Sequence, residues 1–291
     1  MDLSTLHPHH KRSIVYIIIG FCLGLVFWFL LPQLFLKEPT TVRSESKIHA
    51  FHNPDSNLEK IRIRAFYVVP QNKTADAVSN WKEFLETSLA KAAEFHKIQF
   101  REKSALNYDI YPEPVILEKN NIFYDTKTTK YGNPKALIGI ANELEKRVFR
   151  KDGDLYNENF SQRSASEYPV LGIIYEGVGA AGGVIYESEL ESTVEIAKKL
   201  GLPESVIYKV DVESADGFFI LSRTFLTDAE YRFNGVTNFY HEFAHTFGLP
   251  DGYDLETGVS STFDIMGEGR KKPIEIMYLD RKFTRALGLV E

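Results

Sequence analysis

The residues best suited to chemistry in this chain lie in one short motif. His241 and His245 are four residues apart, so on a helix both imidazoles share a face and can reach one metal ion. Glu242 follows the first histidine, where its carboxylate can act as general base for a reacting water. Gly248 can end the helix, and the turn that it allows can bring Asp251 back as a third ligand. The pattern H-E-x-x-H-x-x-G-x-x-D predicts a zinc site.

Two features argue against a chance match to this motif. The glycine and the aspartate follow at the spacing that a helix end and a third ligand need. Four apolar residues also recur at helical spacing, as a buried helix face requires: Val236, Tyr240, Phe243 and Phe247. A site that binds zinc but no longer catalyses is a further alternative. The presence of Glu242 argues against that alternative.

Composition narrows the class of protein. The 291 residues carry a formal net charge of -6, which argues against a nucleic-acid binder because such proteins show a basic face. The single cysteine, Cys22, lies in an apolar run near the N-terminus, so an intramolecular disulfide is impossible. Any metal site must therefore use histidines and carboxylates.

A membrane segment is predicted near the N-terminus. Residues 14–31 read IVYIIIGFCLGLVFWFLL, which is long and apolar enough to cross a bilayer as a helix. A cleaved signal peptide is the alternative, but its apolar region is normally shorter and ends in small residues. We therefore predict four parts: an N-terminal arm (1–13), a transmembrane signal-anchor (14–36), a polar stalk (37–60) and a domain that carries the zinc motif (61–291).

The charges that flank this segment bear on its orientation. Lys11 and Arg12 precede it, but the rule that positive charges stay cytosolic is nearly balanced by three basic residues that follow at greater distance: Lys37, Arg43 and Lys47. The large C-terminal domain would be translocated whatever its charge if the short N-terminal arm stays inside. We predict a single-pass membrane protein with a cytosolic N-terminus and an extracytoplasmic catalytic domain. Gly20 and Gly24 form a G-x-x-x-G pair, which is a possible homodimer contact between membrane helices.

The pattern after the stalk indicates an α/β (α+β) domain. Strands are predicted at five places (61–69, 98–100, 168–175, 183–187 and 217–221), and helices at 76–96, from Pro134, over the zinc motif and from Pro273. The expected architecture is a twisted mixed sheet with backing helices and a zinc-site helix. Residues 183–187 follow a glycine-rich turn and are predicted to form an edge strand.

The motif and the residues after it resemble the metzincins, zinc endopeptidases in which such a motif is followed by a Met-turn. The segments G-L-P-D-G-Y-D at 248–254 and F-D-I-M-G at 263–267 are most similar to the immune inhibitor A-like metallopeptidases. The likeness covers about residues 236 to 270. The order of strands and helices before the motif also suits the upper subdomain of a metzincin.

This resemblance implies a role for each residue of the motif. His241, His245 and Asp251 would be the zinc ligands, and Glu242 the general base. Met266 would lie under the metal as a hydrophobic floor and not as a ligand. The edge strand would pair with an extended substrate across the cleft, through Gly183, Val184, Ile185 and Tyr186.

One position departs from the metzincin pattern. Some metzincins place a tyrosine two residues after the methionine of the Met-turn, and this chain has Glu268 there. A tyrosine that helps in the transition state would have to be another residue, and Tyr253 and Tyr278 are the candidates.

The predicted function is therefore a membrane-anchored, zinc-dependent endopeptidase. It would hydrolyse peptide bonds of a protein or peptide substrate with a zinc-activated water and a glutamate general base. One alternative is an inactive metallopeptidase-like binding or envelope protein. Another is a gluzincin-like enzyme whose third ligand is Glu275, against which the glycine turn and Asp251 argue.

Overall fold

The computed structural model describes residues 56–125, 134–148, 166–178, 181–185, 215–254 and 257–289. The predicted arm, the signal-anchor with Gly20 and Gly24, and the stalk up to residue 55 lie outside these ranges. Tyr186 of the predicted edge strand lies outside them as well. Among the described residues, no helix is both long enough and apolar enough to span a bilayer.

A mixed six-stranded sheet forms the centre of the described chain. Its strands are β1 (Ser56–Val69), β2 (Ala105–Ile110), β3 (Val115–Ile116), β4 (Ser166–Tyr175), β5 (Ala181–Ile185) and β6 (Gly217–Ser222). Their order across the sheet is β2-β1-β4-β6-β5, and β3 also pairs with β1. All neighbours are parallel except β5, which runs antiparallel to β6 at one edge. The predicted mixed α/β fold is thus confirmed.

Six α-helices accompany these strands in the described ranges. They are α1 (Trp81–Gln99), α2 (Asn121–Tyr124), α3 (Pro134–Arg147), α4 (Thr224–Thr227), α5 (Gly235–His245) and α6 (Arg281–Ala286). Single 3-10 turns occur at Gln71–Lys73, Ala229–Tyr231, Glu268–Lys271 and Ile274–Ile276. The predicted zinc helix corresponds to α5.

The side chains of β1 alternate between two buried cores, as the two-residue period of a strand requires. Ile63 and Tyr67 belong to the core that also contains residues of α1 and α5. Phe66 and Val68 belong to the core on the other face, together with residues of α3. The sheet is therefore covered on both faces, which is typical of parallel sheets.

Two predicted elements do not form, and β1 begins earlier than expected. β1 starts at Ser56 and not at 61. No strand forms at 98–100, because α1 continues to Gln99 and the Phe100 amide still donates to the His96 carbonyl. The helix predicted from Pro273 is also wrong, since only a 3-10 turn and the short α6 form there.

Candidate metal centre

Helix α5 carries the two motif histidines and is held closely against the sheet. A Cβ atom on Gly217 would lie only 2.6 Å from the Cβ of Thr246, so glycine is required for this approach. The Tyr168 hydroxyl donates to the Thr246 carbonyl, and Phe239 and Phe243 contact the ring of Phe219 edge-on. These contacts fix the position of the motif helix on β4 and β6.

The chain reverses direction immediately after α5. Gly248 adopts φ 95°, a left-handed conformation that favours glycine. Just beyond it, the Leu249 amide donates to the Ala244 carbonyl at 3.3 Å. This reversal brings Asp251 back beside the two histidines, as the spacing of the motif predicts.

Three ligand atoms meet at this point and form a small triangle. The Nε2 atoms of His241 and His245 are 3.2 Å apart. The Oδ1 atom of Asp251 lies 3.1 Å from the first and 3.4 Å from the second. In tetrahedral zinc sites with ligands about 2.0–2.1 Å from the ion, two ligand atoms are about 3.3 Å apart. The group His241, His245 and Asp251 can therefore hold a metal ion.

The tautomers of both histidines suit metal binding. His241 Nδ1 lies 3.0 Å from the Ile265 carbonyl oxygen, and His245 Nδ1 lies 2.6 Å from the Leu249 carbonyl oxygen. A carbonyl oxygen can only accept, so each Nδ1 carries the proton and donates it. In the neutral form that binds a metal, each Nε2 then directs a lone pair into the triangle. Support of this kind is usual for metal-binding histidines.

The electrostatics of the triangle favour a cation. Burial alone would lower the pKa of His245, but the negative charge of Asp251 outweighs it and raises this pKa to about 9. Burial opposes ionisation of Asp251, yet the neighbouring His245 and His241 hold its pKa well below the usual range. The buried Oδ1 of Asp251 has no hydrogen-bond partner among the described residues. An ionised carboxylate with an unsatisfied oxygen suits a metal ligand.

Glu242 belongs to the same electrostatic environment without being part of the triangle. Burial raises the pKa of its carboxyl, and the nearby carboxylate of Asp251 adds to this effect. Both motif histidines and Arg270 act in the opposite direction. Its carboxylate is therefore close to the metal ligands while remaining separate from them.

The segment predicted to form the Met-turn contacts His241 through the Ile265 carbonyl. Met266 is fully buried in the core that contains α5, and its carbonyl accepts a hydrogen bond from the Gly252 amide at 2.7 Å. Asp264 is also buried, and its two carboxylate oxygens accept from the Thr262 hydroxyl and the Asp280 amide. The turn thus holds the Ile265 carbonyl in place as the acceptor for His241.

Tyr253 and Arg270 complete the site. The rings of Tyr253 and His241 are roughly parallel, with centroids 6.0 Å apart. The Arg270 guanidinium carbon lies 3.7 Å from the centroid of the Tyr253 ring. Tyr253 is one of the two tyrosine candidates named from the sequence, whereas Arg270 lies in a region without periodicity and has no sequence signal.

The alternative candidates for the third ligand and for the helper tyrosine, Glu275 and Tyr278, have other partners. Glu275 is exposed and forms an ion pair with Lys91 at 2.8 Å, so it is not a third ligand in this structure. Tyr278 lines a separate cavity of about 470 Å³ beside Ile98 and Arg281. Glu268 accepts hydrogen bonds from Ser260 and from Lys271.

The sheet presents its antiparallel edge strand on the side of α5. Gly183, Val184 and Ile185 belong to β5, where Val184 lies opposite Phe218 and Ile185 opposite Gly217 of β6. The backbone of β5 lies close to α5. Its role in substrate binding stays a prediction.

Comparisons with known proteins assign neither a family nor a function to this chain. No family model matches the chain, and the search of curated proteins finds no match. The function must therefore be argued from the residues and from the geometry of the site.

Proposed function

We propose that this protein is a zinc-dependent endopeptidase with a metzincin-like catalytic domain. The observation that carries the proposal is the triangle formed by two imidazole nitrogens and one carboxylate oxygen, with edges of 3.1 to 3.4 Å. Both histidines donate from Nδ1 to backbone carbonyls, which leaves their Nε2 atoms for a metal. Two imidazoles and a carboxylate suit zinc, and three protein ligands are typical of catalytic zinc.

The chain's own residues divide the work of hydrolysis. His241, His245 and Asp251 would hold the ion, and zinc supplies Lewis acidity that activates water and polarises a carbonyl. Glu242 is not needed as a ligand, so its carboxylate is available to accept a proton from the attacking water and deliver it to the leaving amine. Met266 is buried in the core that contains α5 and would form the hydrophobic floor of the site.

An extended peptide is the substrate that best suits this arrangement. Among the described strands, β5 is the last in the sheet and lies close to α5, so its outer backbone groups can pair with another extended chain. Such pairing recognises backbone more than side chains. A protein or peptide substrate follows from this reasoning, and an inactive binding protein would use the same surface.

The membrane part of the proposal rests on the apolar run at 14–31. We propose that it anchors the catalytic domain on the extracytoplasmic side. Intact-mass measurement of the protein purified from membranes tests this, because a mature N-terminus between residues 33 and 50 would contradict an uncleaved anchor.

The test of the peptidase activity uses the full chain in detergent, loaded with zinc, and a broad peptide library analysed by mass spectrometry. We expect internal cleavage of peptides, and a loss of turnover of about 100- to 10,000-fold in Glu242→Gln with zinc retained. Glu275→Gln is the matched control, since Glu275 pairs with Lys91 away from the site. Zinc binding without any cleavage by the unaltered chain would instead favour the inactive alternative.

A further inference from the structure

A cavity of about 470 Å³ lies between the end of α1 and the start of α6, and no residue of the metal centre lines it. Leu279 and Thr284 are the buried part of its lining. Two large apolar side chains of the lining stay exposed, since Ile98 is 61% and Tyr278 is 47% accessible. Ligand pockets in proteins have volumes of this order and combine apolar walls with a few polar groups. The cavity therefore has the size and the apolar surface of a binding site.

The polar groups that line the cavity are mainly hydrogen-bond donors. Arg101 and Arg281 are exposed, and neither guanidinium has an ion-pair or hydrogen-bond partner within the described ranges. Gln99 uses its side-chain oxygen to accept a backbone amide at 2.8 Å, which leaves its amide nitrogen as a donor. The lining has one carboxylate, that of Asp280, and it accepts the Lys282 amide at the start of α6. The cavity thus offers two positive charges to a ligand that brings acceptors.

The backbone at Arg101 adopts a conformation that disfavours arginine. Arg101 has φ 50° and the next residue, Glu102, has φ 64°, both in the left-handed region where glycine is preferred. The Arg101 amide donates to the Ile98 carbonyl at 3.2 Å as α1 ends. Glycine could make the same turn without strain, so the turn itself gives no reason for an arginine at this position. A strained residue at the wall of a cavity points instead to a role for its side chain.

We propose that this cavity binds an acidic, partly apolar peptide segment of another protein. Arg101 and Arg281 would pair with its carboxylates, because a guanidinium and a carboxylate form two parallel hydrogen bonds. Ile98 and Tyr278 would cover its apolar side chains and lose their own exposure to water. A concave site takes in side chains, whereas binding to a bilayer requires apolar groups that insert into it, so a peptide fits better than a membrane surface. The inference does not depend on the proposed peptidase activity.

Isothermal titration calorimetry of the full chain in detergent tests the proposal with the peptide acetyl-Glu-Leu-Glu-Phe-Glu-amide. We expect saturable binding that weakens as the salt concentration rises, because exposed charge pairs are screened. Replacing every Glu of the peptide by Gln, or its Leu and Phe by Gly, should each weaken binding at least about 5-fold. Absence of binding, or equal binding of all three peptides, would overturn the inference.

Arg281→Gln and its matched control locate the binding on the protein. Arg281→Gln should weaken peptide binding roughly 2- to 5-fold, the usual contribution of an exposed charge pair. Arg285 lies one helical turn further along α6, is exposed and does not line the cavity, so Arg285→Gln should bind the peptide like the unaltered chain. Equal losses in the two variants would mean that only net charge matters, and would overturn the site.

Arg101→Gly separates the side chain of Arg101 from its backbone. Glycine accepts φ 50° without strain, and this relief offsets its greater freedom in the unfolded chain, so the midpoint of urea unfolding should stay close to that of the unaltered chain. Peptide binding should nevertheless weaken roughly 2- to 5-fold, and Arg101→Lys should keep most of it by retaining a cation. Unchanged peptide binding in Arg101→Gly would overturn the role of this residue.

Two further measurements separate this site from a lipid site and from the metal centre. Glycerophosphoserine, the soluble headgroup of an anionic phospholipid, should not displace the peptide at equal concentration. If it bound more tightly than the peptide and lost this binding in Arg281→Gln, the cavity would be a lipid site and the peptide proposal would be overturned. Zinc content should be unchanged in all the arginine variants, whereas failure of the proposed function would appear as a zinc-loaded chain that binds this peptide but cleaves none.

Discussion

Two neighbouring residues of α5 belong to two different histidine environments. Tyr240 contacts the buried His96, and His241 is part of the candidate metal centre. On the core side, the ring nitrogens of His96 lie 2.8 Å from the Tyr240 hydroxyl and 2.7 Å from the Ser104 hydroxyl. On the metal side, His241 faces the carboxylate of Asp251. Neutral hydroxyls therefore surround one histidine, and a negative charge accompanies the other.

This difference in partners reverses the effect of burial. Burial lowers the pKa of His96 to about 3, since nothing charged compensates for its loss of water. For His245 the same effect of burial is outweighed by Asp251, and the pKa rises to about 9. A buried histidine is thus not by itself a functional one, and a facing carboxylate is what makes the site attractive to a cation.

The strongest test of this comparison removes the carboxylate from the metal side. In Asp251→Ala, zinc should bind more than about 100-fold more weakly, because loss of a ligand should exceed the roughly 10- to 100-fold effect of a supporting residue. The measurement is the zinc content of the full chain after dialysis against graded concentrations of a chelator.

The matched control for this experiment is Asp254→Asn. Asp254 lies three residues away on the same hairpin and accepts hydrogen bonds from the Thr257 amide and hydroxyl. It should keep zinc as the unaltered chain does. Equal zinc retention in Asp251→Ala and the unaltered chain would show that the third ligand is another residue.

A second test measures how the stability of the protein depends on pH through His96 on the core side of α5. His96 stays neutral in the folded protein down to about pH 3, whereas in the unfolded chain it takes up a proton near pH 6.5. Its contribution to stability is therefore present above pH 6.5 and falls as the pH is lowered, by about 2 kcal/mol at pH 5. In His96→Gln, the free energy of unfolding should decrease about 2 kcal/mol less between pH 7 and pH 5.

Urea unfolding followed by circular dichroism at several pH values gives this difference. Ser104→Ala is the control, because it removes a hydrogen-bond partner of His96 but keeps the titrating ring. An unchanged pH dependence in His96→Gln would mean that other groups cause the acid destabilisation.

The smallest expected effect concerns access of substrate to the metal side. Successive residues of a strand direct their amides to opposite edges, so only one of Val184 and Ile185 donates toward β6. Proline at the residue that donates toward β6 should lower the stability of the fold. Proline at the other residue should leave the fold and zinc binding intact but raise KM about 5-fold, because one backbone hydrogen bond to the substrate is lost. If neither proline variant changes KM for library-derived peptides, β5 does not pair with substrate.

The parts of the site that could be predicted from sequence are those set by local geometry. The spacing of His241 and His245 on a helix, and the turn at Gly248, depend only on residues near them in the chain. Tyr253 and Arg270 come together through a hairpin and a 3-10 turn, which have no periodic pattern. Their contact depends on tertiary packing and could not be predicted from spacing.

The helix predicted from Pro273 shows the same limit in the fold. Its apolar residues have helical spacing, but the backbone between the 3-10 turn and α6 makes other hydrogen bonds. The Tyr278 carbonyl accepts from the Ile265 amide, and the Leu279 amide donates to Gln99. These long-range bonds hold the segment next to Met266 and prevent a continuous helix there.

The two carbonyl acceptors of the histidines have a consequence for how the site can change during evolution. Every residue type carries a backbone carbonyl, so Leu249 and Ile265 can be exchanged for other apolar residues without altering the histidine tautomers. Because this support comes from the backbone, it does not require a particular residue type at those positions. Distant relatives could therefore share this arrangement while keeping few residues in common beyond the motif.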